Sequence, residues 1–230
     1  MIVGIPAWAW FTIAAIALVG GLALLGRDRA TRTARNRERR RWAALRGWQF
    51  AETDHVLLTR WHGGAIGHYG TGVARDVVAG STFTADGRRQ VYVADYETNG
   101  KVNSVLVGVR CRHPIGVLVE LWLPSVPFQR EQMPELLGPV GPRYAFVSDL
   151  TTARAMITPD LVDAAEEIGG DVTVLWFEED WVLAAAPPHA SPARLERLLR
   201  DLGELADVVD PLDLRSTGQH RVDNPSENSA

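Results

Sequence analysis

Several stretches of the chain gather residue types able to do chemistry. The run HGGAIGHYGTG, His62 to Gly72, mixes glycines with histidines. Glycine lets backbone N–H groups come close to an anion, so phosphate binding is the first chemistry to test there. No Gly-Lys-Ser/Thr closes the run, no G-x-G-x-x-G is present, and the residues after it read as strand, so a plain loop is expected. His55, His62 and His68 fall near Asp54 and Asp76, the residue types of metal sites, but their spacing matches no helical i, i+4 ligand pair. Surface or internally satisfied histidines are expected instead. Cys111 and His113, two positions apart, have the residue types of a nucleophile and its base, yet no third orienting group is indicated. A buried, inert thiol is the expectation for this lone cysteine. The acidic turn Glu178-Glu179-Asp180 reads as solvated. Trp122, Trp176 and Trp181 suit a sheet face as core residues. No catalytic, cofactor or metal-ligating set is therefore expected.

The elements around these residues read as follows. Trp48 to Glu52 starts a domain. Val73 to Thr84 and Arg88 to Thr98 flank the hairpin dipeptide Asp86-Gly87. After Asn99-Gly100, Ser104 to Arg112 puts Val105, Val107, Val109 and Cys111 on one face, and Ile115 to Leu123 repeats the alternation. These four runs, joined by short turns, predict an antiparallel meander. Tyr144 to Val147 is a short strand. Val172 to Phe177 and Trp181 to Ala185 form a further hairpin. Thr158-Pro159 and Ser191-Pro192 each have the form of an N-cap followed by proline at the first helical position. Leu195, Leu198, Leu199, Leu202 and Leu205 recur at helical spacing behind the second. The spacing predicts an α+β domain over residues 47–211: a mostly antiparallel sheet with two or three covering helices. Residues 212–230 are polar and read as a disordered tail.

The amino-terminal part has a different character. From Met1 to Gly26 no side chain is charged, and Ala7 to Leu25 is nearly unbroken apolar sequence. Such a run is long enough for a hydrocarbon core of roughly 30 Å, so residues 1–26 are expected to form a transmembrane helix. Residues 27–46 follow as a basic juxtamembrane helix, with nine arginines against Asp28 and Glu38 in a chain of net charge −4. Trp8 and Trp10 suit one headgroup region, and Arg27, Arg29, Arg32 and Arg35 the other, so these six are the expected lipid contacts. The arginine bias places the amino terminus outside the cell membrane and the domain in the cytoplasm. An acidic body behind a basic strip argues against a nucleic-acid reader.

The run FVSDLTTARAMITPDLVDAA, Phe146 to Ala165, resembles the Phe-x-Val…Ala-Arg-x-x-Leu-Thr-Pro motif of a bacterial domain-of-unknown-function family. RGWQFAETDHVLLTRW, Arg46 to Trp61, resembles the opening of its membrane-anchored branch in high-GC Gram-positive bacteria, as do the glycine-rich loop and the VVAG…VYVADYET hairpin. The likeness spans roughly Trp42 to Asp210. The family's Leu-Thr-Pro stands here as Ile157-Thr158-Pro159, and Pro124 to Pro142 does not align. The resemblance implies a fold and a membrane habit, and no activity. The expected function is a noncatalytic, membrane-anchored interaction or accessory domain. Its expected partners are the lipid bilayer and another membrane protein or complex. The alternative is a membrane-associated enzyme that binds a small ligand or metal through residues 62–72.

Overall fold

Alternating apolar residues along the chain have a single large sheet as their outcome. The structure, a computed structural model, describes residues 17–18, 20–21, 32–126 and 133–210. Residues 32–45 form a helix, α1. The strands are β1 (Gln49–Asp54), β2 (Val73–Thr84), β3 (Gly87–Thr98), β4 (Lys101–Arg110), β5 (Val119–Trp122), β6 (Glu135–Val140), β7 (Arg143–Val147), β8 (Val174–Glu178) and β9 (Trp181–Ala186). The helices after α1 are α2 (Gly64–Tyr69), α3 (Leu150–Met156), α4 (Pro159–Glu167) and α5 (Pro192–Val209). The strands lie in the order β1-β2-β3-β4-β9-β8-β5-β7-β6, and every neighbouring pair is antiparallel.

The expected four-strand meander stops at β4. Val105 to Arg110 pair with Ala186 to Trp181 of β9, and β5 lies two strands farther on, between β8 and β7. The β8–β9 hairpin thus separates segments that neighbour each other in sequence. It can do so because both its strands are buried throughout and need apolar neighbours on either side. Strand β6 was hidden by Gly138 and Pro139. Pro139 cannot donate to a ladder, and the strand lies at the sheet edge, where that is tolerated.

The two sheet faces are covered differently. One carries Val91, Val93, Val107, Leu175 and Val182, packed under Leu161 of α4, the leucines of α5 and Trp42 of α1. Both predicted caps form: the Thr158 hydroxyl accepts from the Leu161 N–H, and the Ser191 hydroxyl from that of Arg194. The other face carries Leu106, Trp122, Trp176, Trp181 and Leu183, beneath Leu57, Leu58, Trp61, Ala65 and Ile66. The three tryptophans are core, as expected.

The fold class needs one correction. Among the described residues no helix is long and apolar enough to cross a membrane. The architecture on view is the α+β domain alone, without the expected transmembrane helix. Most of the expected span 1–26 lies outside the described residues, as does the expected tail 212–230. The helix that is described beside the sheet, α1, is arginine-rich, and its buried residues pack on the domain instead of facing lipid.

Candidate functional site

The arginines of α1 meet carboxylates of the sheet. Strands β1, β2 and β3 present Glu52, Asp76, Asp95 and Glu97 toward it. Arg39, only 7% exposed, donates to Asp95 at 3.0 Å. Arg35 lies 4.0 Å from the same carboxylate and donates to the Pro188 carbonyl. Arg32 lies 3.6 Å from Glu97 and donates to the Gly100 carbonyl, and Arg40 pairs with Glu52 at 2.7 Å. Asn36 donates to Asp76. At the carboxyl end of α1, Trp42 and Arg46 both donate to Glu196 of α5. Burial pushes the Asp95 carboxyl above its ordinary range, with Arg39 opposing the shift.

Of the expected lipid contacts, Arg32 and Arg35 are thus engaged with the domain. Trp8, Trp10, Arg27 and Arg29 lie outside the described residues. Between α1 and β1–β3, Arg32, Arg35, Glu52, Asp76, Asp95 and Glu97 line an open cleft of about 410 Å³.

The glycine–histidine segment is not a plain loop. It closes into the short helix α2, and its amides already have acceptors. The N–H groups of His62 and Gly63 donate to the two oxygens of Glu178 at 2.8 and 3.0 Å, and that of Gly64 to Glu120 at 2.8 Å. Glu120, fully buried, also accepts from the Trp122 indole. A carboxylate pair occupying these donors leaves no cradle for phosphate. Glu178, expected on a solvated turn, is instead a buried end of β8. Sequence reasoning missed both glutamates because glutamate at a strand position ordinarily signals solvent. A Cβ on Gly63 would stand 2.6 Å from Leu118 Cδ1, and one on Gly64 would enter the Trp176 ring. The glycines are there for close packing.

The histidines do not converge. The His62 side chain is 83% exposed, while the His68 ring rests edge-on against Trp122. Among the described residues no group of three or more His, Cys, Asp or Glu could hold a metal ion.

Cys111 and His113 lie beyond the end of β4, so they do not share a strand face. Burial pushes the Cys111 thiol up to about 12 despite the nearby Arg89 guanidinium, which removes it as a nucleophile. His113 does find an orienting group: its Nδ1 bonds Asp210, which also accepts from the Arg112 N–H and from Arg89. Burial acts to raise the Asp210 carboxyl, but these bonds outweigh it and hold it below the usual range. Asp210 ends α5 and ties the last described turn to the β4 end of the sheet.

These arrangements define an α+β sheet domain whose charged groups join elements to one another. Across residues 5–229 the sequence matches the profile of the trehalose monomycolate transport factor TtfA family, and the chain belongs to that family. It is 28% identical over 200 residues to trehalose monomycolate transport factor A of Mycolicibacterium smegmatis, covering 87% of this chain and 69% of that protein. The fold is similar to the crystal structure of the mycobacterial trehalose monomycolate transport factor A, with a TM-score of 0.65 at 25% identity. That match covers 76% of this chain and 96% of the other.

The expectation of a family of unknown function is thereby corrected: the family is a named one, of transport factors. The residues behind the resemblance had no means of revealing that. Phe146, Thr158, Pro159 and Leu161 build a strand, a cap and a core contact, and transport leaves no mark on such residues.

Proposed function

We propose that this chain is a noncatalytic accessory factor in the movement of an acylated trehalose, the cargo named for its relatives, and that it works beside membrane transport machinery. The observation that carries this reading is the family match running through nearly the whole chain, residues 5–229. Engagement of the charged clusters in holding α1, α2 and α5 to the sheet supports a role in binding or scaffolding over one in bond chemistry. We place the domain at the cytoplasmic face of the membrane.

The test is complementation. Depleting the relative in Mycolicibacterium smegmatis and supplying this chain should restore export of radiolabelled trehalose monomycolate. Persistent intracellular glycolipid, with the chain present at the level of the native factor, would sink the reading. For the location, a carboxyl-terminal green fluorescent protein fusion should glow while an alkaline phosphatase fusion stays inactive.

A further inference from the structure

We propose that the cleft between α1 and β1–β3 binds a neutral, polyhydroxylated headgroup of about disaccharide size. This rests on the transport reading for the identity of the sugar, and on the cleft itself for the chemistry.

The charge balance comes first. Arg32, Arg35 and Arg75 face Glu52, Asp76, Asp95 and Glu97 across the opening, and Arg39 stands behind Asp95. With Arg40 behind Glu52 as well, five guanidinium groups stand against four carboxylates, within one charge of balance, so neither a polyanion nor a polycation gains much from entering. A ligand that gains must offer donors and acceptors close together. Sugar hydroxyls do this, each giving one hydrogen and accepting two. Bonds to ionised partners are the stronger kind, and this wall supplies them in both senses. A volume of about 410 Å³ lies within the range of small-ligand sites.

Preorganisation is the second observation. Asp76 has φ +48°, a left-handed backbone within a long strand, at a register shift between Arg75 and Val78. Non-glycine residues seldom adopt this conformation, and a bulge of this kind re-aims a side chain. Here it turns the Asp76 carboxylate to the cleft, where Asn36 holds it. Arg75, on the same irregular stretch, is steadied by Thr53 at 3.0 Å and Glu97 at 3.4 Å, with its side chain still 46% exposed. The left-handed position and the forked Arg75 guanidinium both line this opening.

The experiment uses the full chain in mild detergent with α,α-trehalose as probe, read by saturation-transfer NMR and calorimetry. Trehalose should bind. Asp76→Asn with Glu97→Gln should weaken it about tenfold or more, since each change removes a charge-assisted acceptor. Asparagine tolerates the left-handed backbone, so the fold should persist. Arg75→Gln, on an exposed side chain, should weaken binding from the donor side, whereas Glu179→Gln, at the exposed β8–β9 turn away from the cleft, should leave it unchanged. Inorganic phosphate should not compete, and displacement by phosphate would overturn the neutral-ligand assignment.

A water-soluble trehalose monoester separates a lipid headgroup from free sugar: tighter binding than trehalose, still sensitive to Asp76→Asn, marks the headgroup. If no saturation transfer reaches trehalose, or if the cleft variants leave it undiminished, the proposal falls. Restored glycolipid export in the cell would then keep the transport reading alive without the cleft. Failed complementation with intact trehalose binding would do the reverse.

Discussion

At the scale of single residues, the consequential groups are charges and glycines placed where solvent cannot reach them. Asp210 gathers Arg89, His113 and the Arg112 N–H, and its carboxyl sits below the ordinary range. A depressed carboxyl pKa contributes stability above the unfolded-state value, and that contribution is lost as pH falls through the folded one. Asp210→Asn should therefore lower stability by about 1–3 kcal/mol at neutral pH. The gap from the parent should close under acid conditions, as urea midpoints at the two pH values would show. Gly64 has φ +56° and no room for a methyl group beside Trp176. Gly64→Ala should destabilise by about 1–3 kcal/mol or more, seen as a lower thermal midpoint. An unchanged midpoint would refute the close approach.

At the scale of elements, α1 tells most. It is held by one buried ion pair, several exposed ones and a packed Trp42. The exposed pairs contribute little each, about 0–1 kcal/mol, whereas breaking the buried one leaves the Asp95 charge with only the more distant Arg35, 4.0 Å away. Arg39→Ala should cost about 3–5 kcal/mol at neutral pH. The Asp95 carboxyl is already raised by burial, and losing Arg39 raises it further. A raised carboxyl pKa penalises the folded state only while the group is charged, so the deficit should shrink as pH falls through that value. Denaturant melts of Arg39→Ala across that range check the sign. A deficit growing toward acid would mean that Arg39 does not offset the Asp95 charge.

At the scale of the whole molecule, the sheet separates two apolar clusters, the larger of which lies under α1, α4 and α5. Cys111 lies within that larger cluster, 5% exposed, with its thiol pushed up to about 12. Its reaction with a disulfide reagent at mildly alkaline pH should be orders of magnitude slower than that of a free cysteine, and should accelerate in step with global unfolding in urea. Fast labelling of the native protein would mean that the β4–α5 corner opens on its own.

Much of this molecule could be read from sequence where the cause is local. Alternation at Val105, Val107 and Val109 marks β4, the Thr158-Pro159 and Ser191-Pro192 pairs mark helix starts, and Asp86-Gly87 marks a hairpin, because each follows from the backbone geometry of neighbouring residues. The candidate cleft was not legible. Its arginines read as a headgroup collar, Asp76 stands out only as a metal-site residue type beside the histidines, and Asp95 and Glu97 give no signal of their own. What paired them is the packing of α1 on β1–β3. Glu178 likewise reads as a solvated acid until the fold brings the His62 and Gly63 amides to it, more than a hundred residues away. Strand β9, not β5, lies beside β4 for the same kind of reason. Apolar faces accept many partners, and only the assembled sheet selects which strand covers which face and which charge meets its opposite. The sequence by itself thus determined most of the elements and their buried sides, but not β6, α2, α3 or the burial of Glu178. Tertiary structure decided the partners, because burial and ion pairing are settled between residues far apart in the chain.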